Sequence, residues 1–466
     1  MHHRPPCARP EQAVLGGRGS LFKRLGRDAL HCLLPFLDLR SLGALDSALT
    51  NRAEREEPWL PALADMSDNS LLCKVLANDV GSVAKWQSCL KWTTSKNISL
   101  PSELEFQDLV QATDSLLACL DNSSKVHKIL SVKIVDCEGV TAAGLKALER
   151  CSGLKRFTLW KSDACEILKK LAQAHWQCFK TLERIDTNIS RVDADCITAI
   201  SSRCPGLKEL SVSFYPGDDD DDDDDDAAAT DETVKRLSAI QGLEVLELDS
   251  VEDLSVRGLS HLKNLTNLRS LEVSCCQHTD ALLKVLGSAP LLRLRKLVMT
   301  DVKGLSAAGF KHFKGPGLAK LTHLDIHDDI VDENLACISA MVNLQSFRLM
   351  GGEITDQGLA HLKPLTAMQD LYIAAGISDA GLVHLSQMPL VKLGFFMSQI
   401  TDAGLDKLQS FFPQLKELSL LCLGRITEDG VERILGSCKK IEKVYIDHCK
   451  QISETIRDSI KARGFC

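Results

Sequence analysis

One hexapeptide recurs along this chain, and it constrains the fold more than any other feature. It reads Val140-Thr-Ala-Ala-Gly-Leu145, Leu254-Ser-Val-Arg-Gly-Leu259, Leu305-Ser-Ala-Ala-Gly-Phe310 and Ile354-Thr-Asp-Gln-Gly-Leu359. It continues as Ile377-Ser-Asp-Ala-Gly-Leu382, Ile400-Thr-Asp-Ala-Gly-Leu405 and Ile426-Thr-Glu-Asp-Gly-Val431. With weaker copies filling the gaps, the period is about 25 residues, which marks an array of stacked units rather than one compact core. A second pattern keeps a fixed phase to the first, as in Leu243-Glu-Val-Leu-Glu-Leu248, Leu268-Arg-Ser-Leu-Glu-Val273 and Leu415-Lys-Glu-Leu-Ser-Leu420. Apolar residues two apart give a short strand one buried face. The Thr-Asp or Ser-Asp that follows starts a helix, the hydroxyl capping free N–H groups and the carboxylate facing the positive helix end. Glycine in that first turn costs helix stability, so we expect it to admit close approach of a neighbouring backbone.

At 466 residues the chain is too long for a single globular core, which the repeat accommodates. The hydrophobic share of 44% and charged share of 25% are those of folded protein. No stretch approaches the ~20 apolar residues of a membrane span, and no membrane partner is expected. The formal charge of −8 comes from the unbroken aspartate run Asp218 to Asp226; the remainder is close to neutral. A basic field for nucleic acid is therefore not expected. The run falls between a strand at 207–213 and a helix at 233–237, so it reads as a solvated loop insertion over 216–229. The 18 cysteines are scattered, and residues 1–6 show no apolar signal core, so free thiols in cytoplasm or nucleus are expected.

A strand followed by a helix every ~25 residues, with leucines at these positions, is the leucine-rich repeat. The pattern Cys-x-x-Leu-x-x-Leu-x-Leu, from Cys204 to Val212 and from Cys438 to Ile446, resembles the cysteine-containing subclass typical of F-box proteins. The resemblance implies an α/β fold: a right-handed, ribonuclease-inhibitor-like horseshoe solenoid of about 13 repeats over 126–466. Ahead of it we expect a disordered N-terminus over 1–20, a small all-α module over 21–66 and a helical linker or cap over 67–125. The tryptophans, all at or before Trp176, fit a distinct and bulkier N-terminal core.

The 21–66 module carries helically spaced apolar residues, then Phe36-Leu37-Asp38 and Ser41-Leu42. It resembles an F-box, which implies that Leu30, Leu34, Phe36, Leu37 and Leu42 face a cullin-ligase adaptor. Two positions depart from the family pattern: its opening Leu-Pro is Leu25-Gly26, and its central-helix tryptophan is replaced near Asn51 and Arg52. Two readings follow. In one the chain is the substrate-recognition subunit of an SCF-type E3 ubiquitin ligase, holding a target protein on its concave face. In the other it is a leucine-rich-repeat scaffold or sensor without ubiquitin work, its N-terminal helices only capping the array.

Strand alternation assigns the concave-face residues. The middle outward column includes Glu247, Glu272, Asp325, Arg348, Tyr372 and Tyr445, and flanking positions supply Met350, Phe396 and Leu421. The face is acidic over the middle repeats and apolar-aromatic toward the C-terminus, the composition of a partner site. His323, Asp325 and His327 share one face, but a cross-strand ion pair between Asp325 and Arg348 accounts for them more simply than a metal. Cys275-Cys276-x-His278 lacks a second ligand pair. No phosphate loop, nucleophile elbow or His-Glu-x-x-His motif occurs, so no catalytic residue, metal or cofactor is expected.

Overall fold

A computed structural model describes residues 72–76, 102–107, 113–118, 120, 126–137, 139–190, 194–215, 225–328, 330–374 and 376–462. The F-box-like segment and the aspartate loop through residue 224 lie outside the described residues. The chain divides into two units, the first holding residues 1–188 with 202–206 and the second 189–201 with 207–466.

The first unit carries strands β1 (Leu72–Leu76), β2 (Glu103–Gln107), β3 (Ser131–Val135), β4 (Arg156–Trp160) and most of β5 (Arg184–Ser190), whose last two residues fall in the second. Each pairs in parallel with the next. Within the segment 67–125, where a helical linker or cap is expected, the described residues hold strands β1 and β2 of the sheet and one short helix, Thr113–Ala118. The cause is legible in β2, where Leu104 and Phe106 alternate inward at 1% and 0% exposure between Glu103 and Glu105. Only a degenerate copy without the glycine follows, Ala112-Thr-Asp-Ser-Leu-Leu117, whose Asp114 nevertheless accepts from the Thr141 N–H at 2.9 Å and hydroxyl at 2.6 Å. Trp176 lies in this first unit. It packs edge-on to Phe157 and Phe179 at 5.3 and 5.1 Å within the repeat core, its indole N–H donating to the Leu145 carbonyl at 3.1 Å.

The second unit carries β6 (Glu209–Tyr215), β7 (Val245–Asp249), β8 (Ser270–Ser274), β9 (Lys296–Thr300) and β10 (His323–His327). There follow β11 (Ser346–Met350), β12 (Asp370–Ala374), β13 (Lys392–Phe396), β14 (Glu417–Leu421) and β15 (Lys443–Asp447). All consecutive neighbours pair in parallel, and the register runs straight across the repeats: Leu324 beside Phe347, Leu371, Leu393, Leu418 and Val444. Second and fourth strand residues point into the core, where nearly all are fully buried. A third apolar column precedes each strand and a fourth begins the turn before it; the latter holds Cys204, Leu265, Met341, Phe412 and Cys438, all buried. Cysteine there serves as one small apolar residue among several.

The residue after a strand turns left-handed at Ser250, Cys275, Asp301, Met397, Cys422 and His448, with φ between 50° and 57°. After β11 the same place is taken by Gly351 at φ 112°. This turn breaks the alternation and sends the following residue (Val251, Cys276, Val302, Leu423, Cys449) into the core.

The hexapeptide proves to be an inter-repeat clasp. Asp356 accepts from the Ser378 N–H at 2.8 Å and hydroxyl at 2.5 Å, and Asp379 accepts likewise from Thr401 at 2.9 and 2.5 Å. The pairs Asp332–Thr355 and Asp402–Thr427 repeat the arrangement. Each recipient hydroxyl caps its own helix in turn, as Thr401 does by accepting from the Ala403 N–H at 3.2 Å. Glycine makes room for the clasp: a Cβ on Gly404 would stand 2.2 Å from Asp379 Oδ1, and one on Gly358 2.0 Å from Asp332 Oδ1. The close approach is thus by a carboxylate, not by the backbone that the sequence suggests. Where Ala307 replaces the aspartate, Val331 replaces the hydroxyl residue one repeat on, and Asn334 Oδ1 accepts from the Val331 N–H at 2.9 Å instead.

Candidate partner-binding face

Helices and turns cover one side of the second unit's sheet, leaving first, third and fifth strand residues on the other. Register makes them three rows. The middle row runs Ser211, Glu247, Glu272, Val298, Asp325, Arg348, Tyr372, Gly394, Ser419, Tyr445. Met350, Ala374, Phe396 and Leu421 align in the row toward the strand ends. The structure therefore brings Glu247, Glu272, Asp325, Arg348, Met350, Tyr372, Phe396, Leu421 and Tyr445 onto one face. Leu30, Leu34, Phe36, Leu37 and Leu42 lie outside the described residues.

Over β7 and β8 the face is acidic. Burial pushes the Glu272 carboxyl above the usual carboxylate range; Lys296, with Nζ 3.9 Å from Glu272 Oε2, opposes this, and the charges of Glu247, Asp325 and Asp249 add to it. Asp249 is held by the hydroxyls of Ser213 and Ser274.

The expected ion pair between Asp325 and Arg348 is corrected by the geometry. The two residues are register partners, but the Arg348 guanidinium carbon lies 4.8 Å from the Tyr372 ring centroid, a cation–π contact. Asp325 Oδ1 lies instead 3.2 Å from His327 Nε2, an ion-pair distance without hydrogen-bond alignment, and the oxygen is buried without a donor. His323 Nδ1 meets the Thr322 hydroxyl at 2.8 Å. Tyr372 lies flat because its neighbour is glycine: a Cβ on Gly394 would be 2.1 Å from Tyr372 Cδ1. Its hydroxyl reaches to 3.5 Å from Ser419 Oγ. Arg348, the ring and Ser419 so form a continuous layer across β11 to β14.

A trough of about 570 Å³ opens on β8 to β12, lined by Glu272, Val298, Asp325, Arg348, Asp370 and Tyr372 among others. Asp370, which the sequence reading omitted, has its carboxyl pushed up by burial and drawn down by Arg348 and Lys392. Glu417 lies between two lysines, 2.5 Å from Lys392 Nζ and 3.5 Å from Lys443 Nζ. The Lys392 hydrogen bond holds its carboxyl below the usual range. These first-row residues obey the same alternation as the middle row and were accessible to it. Met397, 63% exposed beside Phe396, was not, because only the left-handed turn brings it outward.

In-register strands, buried leucine columns and a capped helix or turn in each repeat define the class: an α/β leucine-rich-repeat solenoid. No known family model matches the chain. No curated protein matches it. Among solved structures it is similar to the internalin inlF of Listeria monocytogenes, at 17% identity and TM-score 0.37, over 77% of this chain and 88% of that one. It is similar to internalin C2 (inlC2) of the same organism at 20% identity and TM-score 0.29, over 41% and 84%. A third is a TLR13–ssRNA13 complex, at 15% identity and TM-score 0.38, covering 82% of this chain and 47% of that one. Among the described residues no helix is long and apolar enough to cross a membrane.

Proposed function

We propose that the chain is a protein-binding solenoid that works by holding a partner on the sheet face of β7 to β15, rather than by catalysis. The observation that supports this most is the face itself, with carboxylates at one end and Met350, Phe396, Met397, Leu421 and Tyr445 at the other. Met397 and Tyr445 are 63% and 42% exposed, and large apolar groups clustered on a sheet face are characteristic of interface anchors. The described cysteines are free thiols, which suits a reducing compartment such as cytoplasm or nucleus. A comparison of wild type with Phe396→Glu/Leu421→Glu tests the reading. A protein that co-purifies with wild type in defined proportion should be lost from the variant; its retention would count against this face.

We propose further that the F-box-like sequence at 21–66 docks the chain on a cullin-ligase adaptor and makes it a substrate-recognition subunit of an SCF-type E3 ubiquitin ligase. Support is the sequence resemblance alone, carried by Leu30, Leu34, Phe36, Leu37 and Leu42. The test is a pull-down of purified adaptor by the full chain beside Leu34→Asp/Leu37→Asp, whose charges would sit buried and unpaired in such an interface. Binding by wild type alone supports the ligase reading. No binding by folded wild type leaves a leucine-rich-repeat binding protein and removes the ubiquitin role.

A further inference from the structure

We propose that the trough at β8 to β10 anchors a lysine or arginine side chain of the partner, and that the partner follows it with a bulky apolar residue over β11 to β14. This rests on the reading of that face as the partner surface and specifies the partner's chemistry. Glu272, Val298 and Asp325 are consecutive in the middle row. Val298, 6% exposed, gives an apolar floor between two carboxylate-bearing residues. Strand spacing sets those residues about 9–10 Å apart. An aliphatic stem can lie on such a floor while its cationic head reaches both walls.

Three features favour a cation there. The Asp325 Oδ1 atom is buried with His327 Nε2 at 3.2 Å but out of hydrogen-bond alignment, while the side chain as a whole is 21% exposed and lines the trough, leaving its other oxygen to meet a cation from outside the chain. Arg348, the nearest guanidinium in the row, is committed to the Tyr372 ring. Lys296 stands 3.9 Å from Glu272, beyond hydrogen-bond reach. The carboxylates Glu247 and Asp249 on the neighbouring strand add to the negative field; burial is the main cause that raises the Glu272 carboxyl, and these charges contribute in the same direction. Asp370 Oδ1 on the far wall is likewise buried without a partner, but the charges of Arg348 and Lys392 already offset that carboxyl, so the cation belongs at Glu272 and Asp325 rather than deeper along the trough.

The apolar row adds a spacing. Asp325 on β10 and Phe396 on β13 are three strands apart and offset by two residues along the strand, about 16 Å in all, which about five residues of extended chain span. The partner motif is therefore a basic residue and a bulky apolar one separated by roughly that distance.

The experiment is selection of a phage-displayed random peptide library on the full chain, followed by affinity measurement of the synthetic selected peptides. Binders should carry Lys or Arg with a bulky apolar residue about five positions away. Their affinity should fall about tenfold or more against Asp325→Asn and against Glu272→Gln, and equally when the peptide's basic residue becomes glutamine. Binders that lack a basic residue and ignore both substitutions, yet are lost on Phe396→Glu, overturn the anchor while the partner face stands. Binders indifferent to all three variants, or no binder at all, overturn both.

Discussion

Asp402 and Thr427 sit in consecutive repeats and are joined twice: Oδ1 accepts from the Thr427 N–H at 2.8 Å and Oδ2 from its hydroxyl at 2.5 Å. The aspartate of one unit thereby organises the helix start of the next, since Thr427 Oγ1 also accepts from the Gly430 N–H at 3.3 Å. Neighbour coupling of this kind is what holds a one-dimensional array together. Asp402→Ala should destabilise the chain by about 1–3 kcal/mol, the scale of lost hydrogen bonds to a charged group. Urea denaturation followed by circular dichroism measures it, and an unchanged midpoint would remove the clasp's role.

Gly430 should be coupled to the same aspartate. A Cβ there would stand 2.2 Å from Asp402 Oδ1. Gly430→Ala alone should cost about 1–3 kcal/mol by overpacking. In an Asp402→Ala background the same change should become neutral or stabilising, because alanine is the better helix former by about 1 kcal/mol. Additive effects in the double-mutant cycle would show that glycine serves something other than the clasp.

Gly394→Ala should lift the Tyr372 ring, since its Cβ would fall 2.1 Å from Tyr372 Cδ1. Tyr372 would then lose its reach to Ser419 and become the faster of the two to nitrate when compared with wild type. Peptide mapping after limited tetranitromethane treatment reads this directly. Unchanged Tyr372 reactivity would mean that the ring is not held down by the absent side chain.

Acid should separate Glu417 from Asp370. The Lys392 hydrogen bond, then the charges of Lys392 and Lys443, hold Glu417 below its ordinary value of 4.5. Its contribution is full above that value and is lost as pH falls through the lower folded one. Burial raises Asp370 above 3.8, so its ionisation weakens the fold as pH rises from there. Glu417→Gln should thus lower stability at neutral pH with a deficit that closes in acid, and Asp370→Asn should gain relative to wild type as pH rises. Denaturation midpoints across the acid range test both signs.

The described thiols should divide by burial. Burial pushes Cys151 and Cys204 up to about 12 and Cys178 higher still, leaving them protonated and unreactive. Among the described cysteines, partly exposed Cys275, Cys337 and Cys422 should be alkylated first in native protein. Iodoacetamide labelling with mass mapping would contradict this account if Cys151 or Cys178 reacted at the same rate without denaturant.

Much of this molecule is legible in its residues because the repeat encodes its own geometry. Period-two apolar positions such as Leu418 and Leu420 give the strand, and Thr401-Asp402 gives the helix start. Alternation alone then lays out the middle row from Glu247 to Tyr445 in its correct order. Three features escaped for physical reasons. Strand β2 is followed only by a degenerate copy of the hexapeptide, Ala112-Thr-Asp-Ser-Leu-Leu117, which lacks the glycine that marks the others. The direction of Met397 depends on a left-handed turn that a non-glycine sequence does not announce. The choice of Arg348 between Asp325 and Tyr372 depends on Gly394 letting the ring lie flat, a relationship two strands away.

The most direct test of the binding face is site-specific photocrosslinking in cells. A benzophenone amino acid placed at Met397 or Tyr445, both exposed on or beside the sheet face, is compared with one at Val383, 53% exposed in the helical segment Leu382–Leu385. The account predicts a discrete protein adduct from 397 and 445, absent from 383 and lost on Phe396→Glu. A partner captured from 383 and never from 397 or 445 would contradict it.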